Sequence, residues 1–152
     1  MFGNASAFDG IQKKIQPGPD HSNQTMHTDQ LAIQKILLID DDEDDHIVFK
    51  LALTELDSSV QLFYTNCADN LLAILDQVKP HLIFLDINLP RTDGIECLQL
   101  LQNDAFGKSI PVVMYSSSEL PRDLQLSFDA GASLYFRKPT DVSRLVAALK
   151  EI

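Results

Sequence analysis

Short apolar runs alternate with longer amphipathic segments along most of the chain, from Lys35 to the C-terminus. The runs are rich in β-branched and aromatic residues and are too short for buried helices, which is typical of strands. Runs without internal alternation indicate strands that are covered on both faces, as in a parallel sheet. The predicted strands are 36–39, 60–64, 82–85, 110–116 and 134–137.

The segments between these runs carry apolar residues at helical spacing, which predicts amphipathic helices. Five strands that alternate with five helices through short connections call for right-handed crossovers and a parallel sheet. We therefore expect an α/β domain over residues 35–152, with a doubly wound, five-stranded parallel sheet and helices on both faces. The predicted helices are 43–56, 69–78, 94–101, 121–129 and 141–152.

The first 34 residues show neither the helical nor the strand periodicity of apolar residues. They are rich in Gln, Asn, Ser, Thr, Gly and Pro, and Pro17-Gly18-Pro19 would interrupt a helix or a strand in the middle of the segment. We expect residues 1–34 to form a flexible N-terminal extension. A short helix around residues 7–15 is the less favoured alternative.

Charge and hydropathy exclude several functional classes. The formal net charge is −10, which argues against a broad nucleic-acid footprint. No apolar run approaches the roughly 20 residues of a membrane span, and the N-terminus carries no export signal. We expect a soluble, cytoplasmic protein that binds neither nucleic acid nor membrane.

Polar residues with chemical potential follow four of the predicted strands. Asp40 and Asp41 follow the first strand, Asp86 the third and Lys138 the fifth, and Ser116 ends the fourth. The carboxyl ends of parallel strands share one edge of the sheet, so these side chains can converge there.

Three carboxylates at one edge repel one another and raise their pKa values unless a cation lies among them. A hard divalent ion such as Mg²⁺ accepts carboxylate oxygens and leaves room for water and phosphate. The lysine adds a fixed positive charge and Ser116 a hydroxyl donor. The set predicts a cradle for a phosphoryl group on Asp86.

Residues 40–45 are six consecutive acidic residues, and those after Asp41 have a simpler interpretation. Glu43, Asp44 and Asp45 are expected to form a solvated first turn of the first helix, where the helix dipole favours negative charge. Asp42 is expected to be a helix cap or a bystander.

Four sequence blocks together resemble those of bacterial two-component response regulator receiver domains. The resemblance covers Lys35 to the C-terminus and implies a flavodoxin-like fold. The chain ends directly after the fifth predicted helix, which resembles the stand-alone, single-domain members. The blocks are 36–41, 82–90 with Asp93-Gly94, 111–117 and 130–139.

The resemblance implies specific roles for the residues at the sheet edge. Asp86 is the expected phosphoacceptor. Mg²⁺ is expected to be held by Asp41 and Asp86, with help from Asp40 and from the backbone carbonyl of Asn88.

The resemblance also implies a switch. Ser116 and Lys138 are expected to contact the phosphoryl group, and Ser116 and Tyr135 to form a switch pair in which the hydroxyl moves and the ring turns inward. The expected donor is a sensor histidine kinase. A histidine phosphotransfer protein or another downstream protein is a further expected partner, and homodimer formation is left open.

Two other functions compete with a signalling switch. A Mg²⁺-dependent phosphohydrolase could use Asp86 as nucleophile, but such enzymes need an acid two residues later, where Asn88 stands. A receiver-like binding module without phosphorylation is the third hypothesis. The cluster of Asp40, Asp41 and Asp86 disfavours it, because a purely structural edge gains nothing from their mutual repulsion.

Deleting residues 1–30 is expected to leave phosphorylation intact, because none of the expected site residues lies in that segment. Intact mass after incubation with Mg²⁺ and acetyl phosphate measures the uptake. A large loss of solubility or of phosphoryl uptake would show that the segment is part of the domain.

Overall fold

The computed structural model describes the backbone of residues 11–13 and residues 33–57 and 59–152. The strands are β1 (Ile11–Lys13), β2 (Lys35–Ile39), β3 (Gln61–Thr65), β4 (Leu82–Leu85), β5 (Val112–Ser116) and β6 (Leu134–Arg137). The helices are α1 (Glu43–Leu56), α2 (Leu71–Val78), α3 (Gly94–Asn103), α4 (Pro121–Asp129) and α5 (Val142–Leu149), with a 3-10 turn at Gly107–Ser109.

The five predicted strands form a parallel sheet, as the alternation of short apolar runs and helices indicated. The strands lie in the order β1-β6-β5-β4-β2-β3, and every pairing from β6 to β3 is parallel. Helices α1 and α5 pack on one face, and α2, α3 and α4 pack on the other. The doubly wound prediction is therefore confirmed.

A sixth strand at one margin of the sheet was not predicted. β1 pairs antiparallel with β6, with Ile11 opposite Phe136 and Lys13 opposite Leu134. Over residues 11–13 the expected flexible extension and the alternative helix are therefore both wrong. Apart from residues 33 and 34, the remainder of those two expectations lies outside the described residues. A strand of three residues is too short to show a period of two, and it forms because β6 offers unpaired backbone groups.

The sheet interior explains why the strands read as continuous apolar runs. All four residues of β4 and all five of β5 are buried, since helices cover both of their faces. On the α1 and α5 side, Phe49 packs edge-on against Phe84 and Tyr115, with ring centroids 4.7 and 5.7 Å away. Such edge-to-face pairs add to the stabilisation from burial alone.

Several element boundaries differ from the prediction, and three of the differences have a local reason. Helix α2 begins at Leu71, after Asn70 adopts a left-handed backbone with φ 60°. Strand β5 begins at Val112, because Pro111 has no backbone N–H to donate to a ladder. Helix α5 begins after Asp141, whose side chain caps it by accepting a hydrogen bond from Arg144 N.

Strand order places two of the predicted acidic residues side by side. β2 and β4 are neighbours with Ile39 opposite Leu85, and the chain leaves them in opposite directions across the sheet. Asp86 N donates a hydrogen bond to Ile39 O at 2.9 Å, which fixes the level at which the two strands end. Such a reversal of strand order opens a crevice at the carboxyl edge.

Among the described residues, no helix combines the length and the apolar composition needed to cross a membrane.

Gly94 allows α3 to start directly against the end of β4. A Cβ atom at this position would lie 2.1 Å from Asp86 O and 2.7 Å from Ile87 Cα. Both neighbours are backbone atoms, so they cannot turn away as a side chain could.

We expect Gly94→Ala to lower the free energy of unfolding by about 3 kcal/mol, because the added methyl group must displace the backbone at Asp86. Urea unfolding monitored by circular dichroism measures the change. Gln99→Ala, on an exposed position of the same helix, is the control and should change stability by less than about 0.5 kcal/mol. Equal stability of the two variants would contradict the close approach.

Candidate functional site

Three carboxylates meet at the carboxyl edge of the sheet, as predicted from their positions after β2 and β4. One oxygen from each of Asp40, Asp41 and Asp86 lies within 4.8 Å of the others. Asp40 and Asp86 are buried, with 0% and 5% of their surface exposed, whereas Asp41 is exposed. The structure therefore brings together side chains that are 46 positions apart in the sequence.

Backbone N–H groups orient the two buried carboxylates. Asp40 Oδ1 accepts a hydrogen bond from Asp42 N at 2.9 Å, and Asp86 Oδ1 accepts one from Asn88 N at 3.2 Å. Each contact occupies one oxygen and leaves Oδ2 of the same residue directed at other partners. Two anionic Oδ2 atoms are thus left for a cation.

Lys138 supplies that cation. Its backbone N donates to Ser116 O at 2.9 Å, which continues the pairing of β6 with β5 and carries the side chain to the site. Its Nζ lies 2.8 Å from Asp40 Oδ2, 2.9 Å from Asp86 Oδ2 and 2.6 Å from Asp45 Oδ2. The ammonium also lies 5.4 Å from the centre of the Tyr115 ring, a cation–π contact.

The electrostatics of Lys138 follow from these contacts. Burial by itself would lower the pKa of the Lys138 ammonium. The contacts with the carboxylates of Asp40, Asp45 and Asp86 outweigh burial and raise the pKa well above its ordinary value. The side chain therefore carries a permanent positive charge in the centre of the cluster.

Asp45 corrects one sequence-based expectation. It was expected to be a solvated member of the first helical turn, and that was wrong: it is only partly exposed and binds Lys138 Nζ. Glu43 and Asp44 are exposed, as expected of that turn. Asp42 has one of the two roles left open, since it caps α1 by accepting a hydrogen bond from Asp44 N. The sequence pattern does not distinguish Asp45 from its acidic neighbours. Only the position of Lys138 in the folded protein does so.

Asp40 carries the strongest sign that a further cation fits the site. Burial raises its pKa from 3.8 to about 6, although the nearby Lys138 ammonium and the hydrogen bond from Asp42 N oppose that shift. Within the described residues, Asp40 Oδ2 is buried and has no hydrogen bond of good geometry, despite its ion pair with Lys138. A buried, anionic oxygen of this kind beside two more carboxylates suits a hard divalent ion.

The predicted switch residues lie on neighbouring strands. Ser116 is fully buried at the end of β5, and its Oγ accepts a hydrogen bond from Ser118 N at 3.2 Å. Tyr135 on β6 is buried, and its hydroxyl donates to Ser118 O at 3.0 Å. Ser118 in turn donates its hydroxyl to Asp123 at the start of α4. The loop between β5 and α4 thus connects the two residues.

An open cleft of about 620 Å³ leads from solvent to Asp41. Asn88 lines the cleft and is exposed, and its backbone forms an isolated bridge with Asp93. Of the three clustered carboxylates, the cleft is lined by Asp41, the exposed one. Its lining consists of Asp41, Ile87, Asn88, Leu89, Pro90, Arg91, Thr92, Asp93 and Asp123.

The pKa of Asp40 makes a prediction for the metal-free protein. Folding raises this pKa from 3.8 to about 6, so the folded protein binds the Asp40 proton more tightly than the unfolded chain does. The resulting stabilisation is fully present below about pH 3.8 and is lost as the pH rises through about 6. Asp40→Asn should therefore be more stable than the parent protein at pH 8, by about 1–3 kcal/mol, and the difference should shrink towards pH 4. Lys138 keeps Asp45 and Asp86 as partners in this variant.

Urea unfolding with EDTA at several pH values measures this difference. Asp44→Asn removes an exposed carboxylate of the same run and is the control. A gain for Asp40→Asn that did not depend on pH would contradict the cost of ionising Asp40.

Comparisons with known proteins agree with this fold. The crystal structure of the phosphorylated cyanobacterial phytochrome response regulator RcpA is 31% identical, with a TM-score of 0.71, and the match covers 79% of this chain and 91% of that one. The Mn²⁺-bound form of response regulator Rcp1 is 27% identical, with a TM-score of 0.68, covering 78% of this chain and 91% of that one.

A relative from Synechocystis sp., the DNA-binding dual master transcriptional regulator RpaA, is 33% identical over 118 residues. The match covers 78% of this chain and 48% of RpaA, so the chain spans about half the length of that relative. The family profile described as the response regulator receiver domain matches residues 36–150. The fold, the acidic cluster and these matches together show that the chain belongs to the response regulator receiver domain family.

Proposed function

We propose that this receiver accepts a phosphoryl group on Asp86 from a sensor histidine kinase and acts as a signalling switch in a two-component system or phosphorelay. The observation that carries the proposal is the pairing of a buried Asp86 with Lys138 Nζ, 2.9 Å away, at an edge that also holds Asp40 and Asp41. A buried nucleophilic carboxylate with a fixed cation beside it suits acceptance of a phosphoryl group.

The transfer needs positioning more than covalent assistance from the protein. An oxygen of Asp86 attacks the phosphorus of a phosphohistidine, and the new P–O bond forms as the P–N bond breaks and the imidazole leaves. Negative charge spreads over the phosphoryl oxygens during this step. Lys138 and the hydroxyl of Ser116 are the donors that would stabilise that charge.

The donor set also fits Mg²⁺, which would neutralise the carboxylates and the incoming phosphoryl group. Asp40, Asp41, Asp86 and the backbone carbonyl of Asn88 are the groups that would hold it. The support for this part of the proposal is the hard, all-oxygen character of the cluster and the buried Asp40 Oδ2, which forms an ion pair with Lys138 but has no hydrogen bond of good geometry within the described residues.

The readout would be a change in the face formed by α4, β6 and α5. An acyl phosphate carries nearly two negative charges, and a difference of about 5.5 kcal/mol in its interaction with two states reverses a 1:99 population. Ser116 and Tyr135 are the proposed switch pair. Both already bond to Ser118, so movement of the Ser116 hydroxyl towards the phosphoryl group bears directly on the loop that Tyr135 contacts.

The proposed partners follow from this chemistry. A sensor histidine kinase supplies the phosphoryl group, and a histidine phosphotransfer protein or another downstream protein responds to it. A cytoplasmic location is part of the same proposal.

Incubation with Mg²⁺ and acetyl phosphate should add one phosphoryl group to the protein, because the P–O bond that breaks releases acetate, a good leaving group, and the nucleophile is already oriented. Intact mass spectrometry measures the gain. Asp86→Asn should abolish it, whereas Asp76→Asn, which removes an exposed carboxylate on α2, should leave it unchanged.

Other outcomes identify the competing functions. No adduct with acetyl phosphate, phosphoramidate or a cognate kinase would indicate a binding module that is not phosphorylated. Rapid turnover of generic phosphate esters, lost in Asp86→Asn, would indicate a phosphohydrolase instead.

A further inference from the structure

We propose that Asp45 is a positioning residue for phosphoryl transfer, whose carboxylate holds the Lys138 ammonium beside Asp86. The proposal rests on the proposed function of Asp86 as phosphoacceptor. Lys138 Nζ donates to Asp45 Oδ2 at 2.6 Å and to Asp86 Oδ2 at 2.9 Å, so the two carboxylates share one ammonium. The contact with Asp45 is the shorter.

Asp45 differs from the other partners of Lys138 in what happens to it during the reaction. Asp86 becomes an acyl phosphate, and Asp40 belongs to the cluster suited to a divalent ion. Asp45 is outside that cluster and undergoes no chemical change. It is therefore the one of the three carboxylates that can hold the ammonium with the same charge before and after transfer.

The position of Asp45 on α1 makes it a rigid anchor. Phe49 lies four residues later and Ala52 seven residues later, and both are 0% exposed, so all three residues lie on the helix face that packs on the sheet. Helical side chains tilt towards the helix N-terminus, which directs Asp45 at the edge where Lys138 ends. Asp44, one position earlier, is exposed.

Lys138 needs such an anchor because its ammonium sits on a flexible four-carbon stem. The charge-assisted hydrogen bond that Lys138 donates to Asp45, in the first turn of α1, restricts the stem to the conformation that reaches Asp86. Without Asp45, the ammonium samples other positions and spends less time where a phosphoryl oxygen forms.

Charge alone has the opposite effect on the reaction. Removing a carboxylate near the site weakens its repulsion of an anionic phosphodonor, so a purely electrostatic role for Asp45 would make transfer faster in its absence. A positioning role makes transfer slower. The direction of the change therefore separates the two roles.

The test compares Asp45→Asn with Asp44→Asn, which removes the same charge from the same helical turn. Both variants and the parent protein are incubated with saturating Mg²⁺ and acetyl phosphate, and intact mass follows the uptake with time. We expect Asp45→Asn to take up the phosphoryl group about tenfold more slowly than the parent, and Asp44→Asn to be as fast or slightly faster. Asp45→Glu, which keeps the charge, should recover part of the rate.

A double-mutant cycle shows whether Asp45 acts through the lysine. Lys138→Met keeps the apolar stem beside Tyr115 but removes the ammonium. In that background, Asp45→Asn should change the slow residual rate by less than twofold. Mg²⁺ binding by calorimetry should be the same in Asp45→Asn and Asp44→Asn, since neither residue belongs to the carboxylate cluster.

Three results would overturn the inference. An uptake rate of Asp45→Asn equal to or above that of Asp44→Asn excludes positioning, and an equal slowing with and without Lys138 shows that Asp45 acts independently of the lysine. Failure of the parent protein itself to take up a phosphoryl group removes the proposed function and this inference with it. Should Asp45→Asn fail to fold, as judged by thermal unfolding, Asp45→Ser replaces it in the same comparisons.

Discussion

The interaction on which the site depends is the contact of one ammonium with several carboxylates at the edge of a parallel sheet. Lys138 Nζ lies within 2.9 Å of Asp40, Asp45 and Asp86, and two of these side chains are almost fully buried. Buried carboxylates that share so small a space are costly unless an opposite charge is bonded to them. Since the lysine follows the last strand, the site is complete only when β6 is in place.

The topology of the sheet makes this meeting of charges possible. Neighbouring strands β2 and β4 end at the same level, and Gly94 lets α3 turn away immediately behind Asp86. Helix α1 begins at the same edge of the sheet, and its first turn contributes Asp45 to the site. Acidic residues that are distant along the chain therefore lie close together because of strand order, without any local motif that folds on its own.

Much of this arrangement could be predicted from the sequence, because apolar runs without alternation mark buried parallel strands and such strands align their carboxyl ends. The convergence of Asp40, Asp41, Asp86 and Lys138 follows from that rule alone. The role of Asp45 does not, because three acidic residues in one helical turn look alike until the direction of the helix and the path of the lysine are known. β1 was not predicted, because a strand of three residues is too short to show the alternation of apolar and polar residues.

β1 gives the two lateral margins of the sheet different chemistry. At one margin, β3 pairs with β2 alone among the described strands, and at the other, β6 already exchanges backbone bonds with a segment from far upstream. An extended peptide that adds to the sheet at β6 has first to compete with a strand tethered to the same molecule. Such a tethered competitor acts at an effective concentration that depends on the length and stiffness of the intervening chain. Strand addition at the β6 margin is therefore selective for ligands that bind more strongly than three residues of the protein's own backbone.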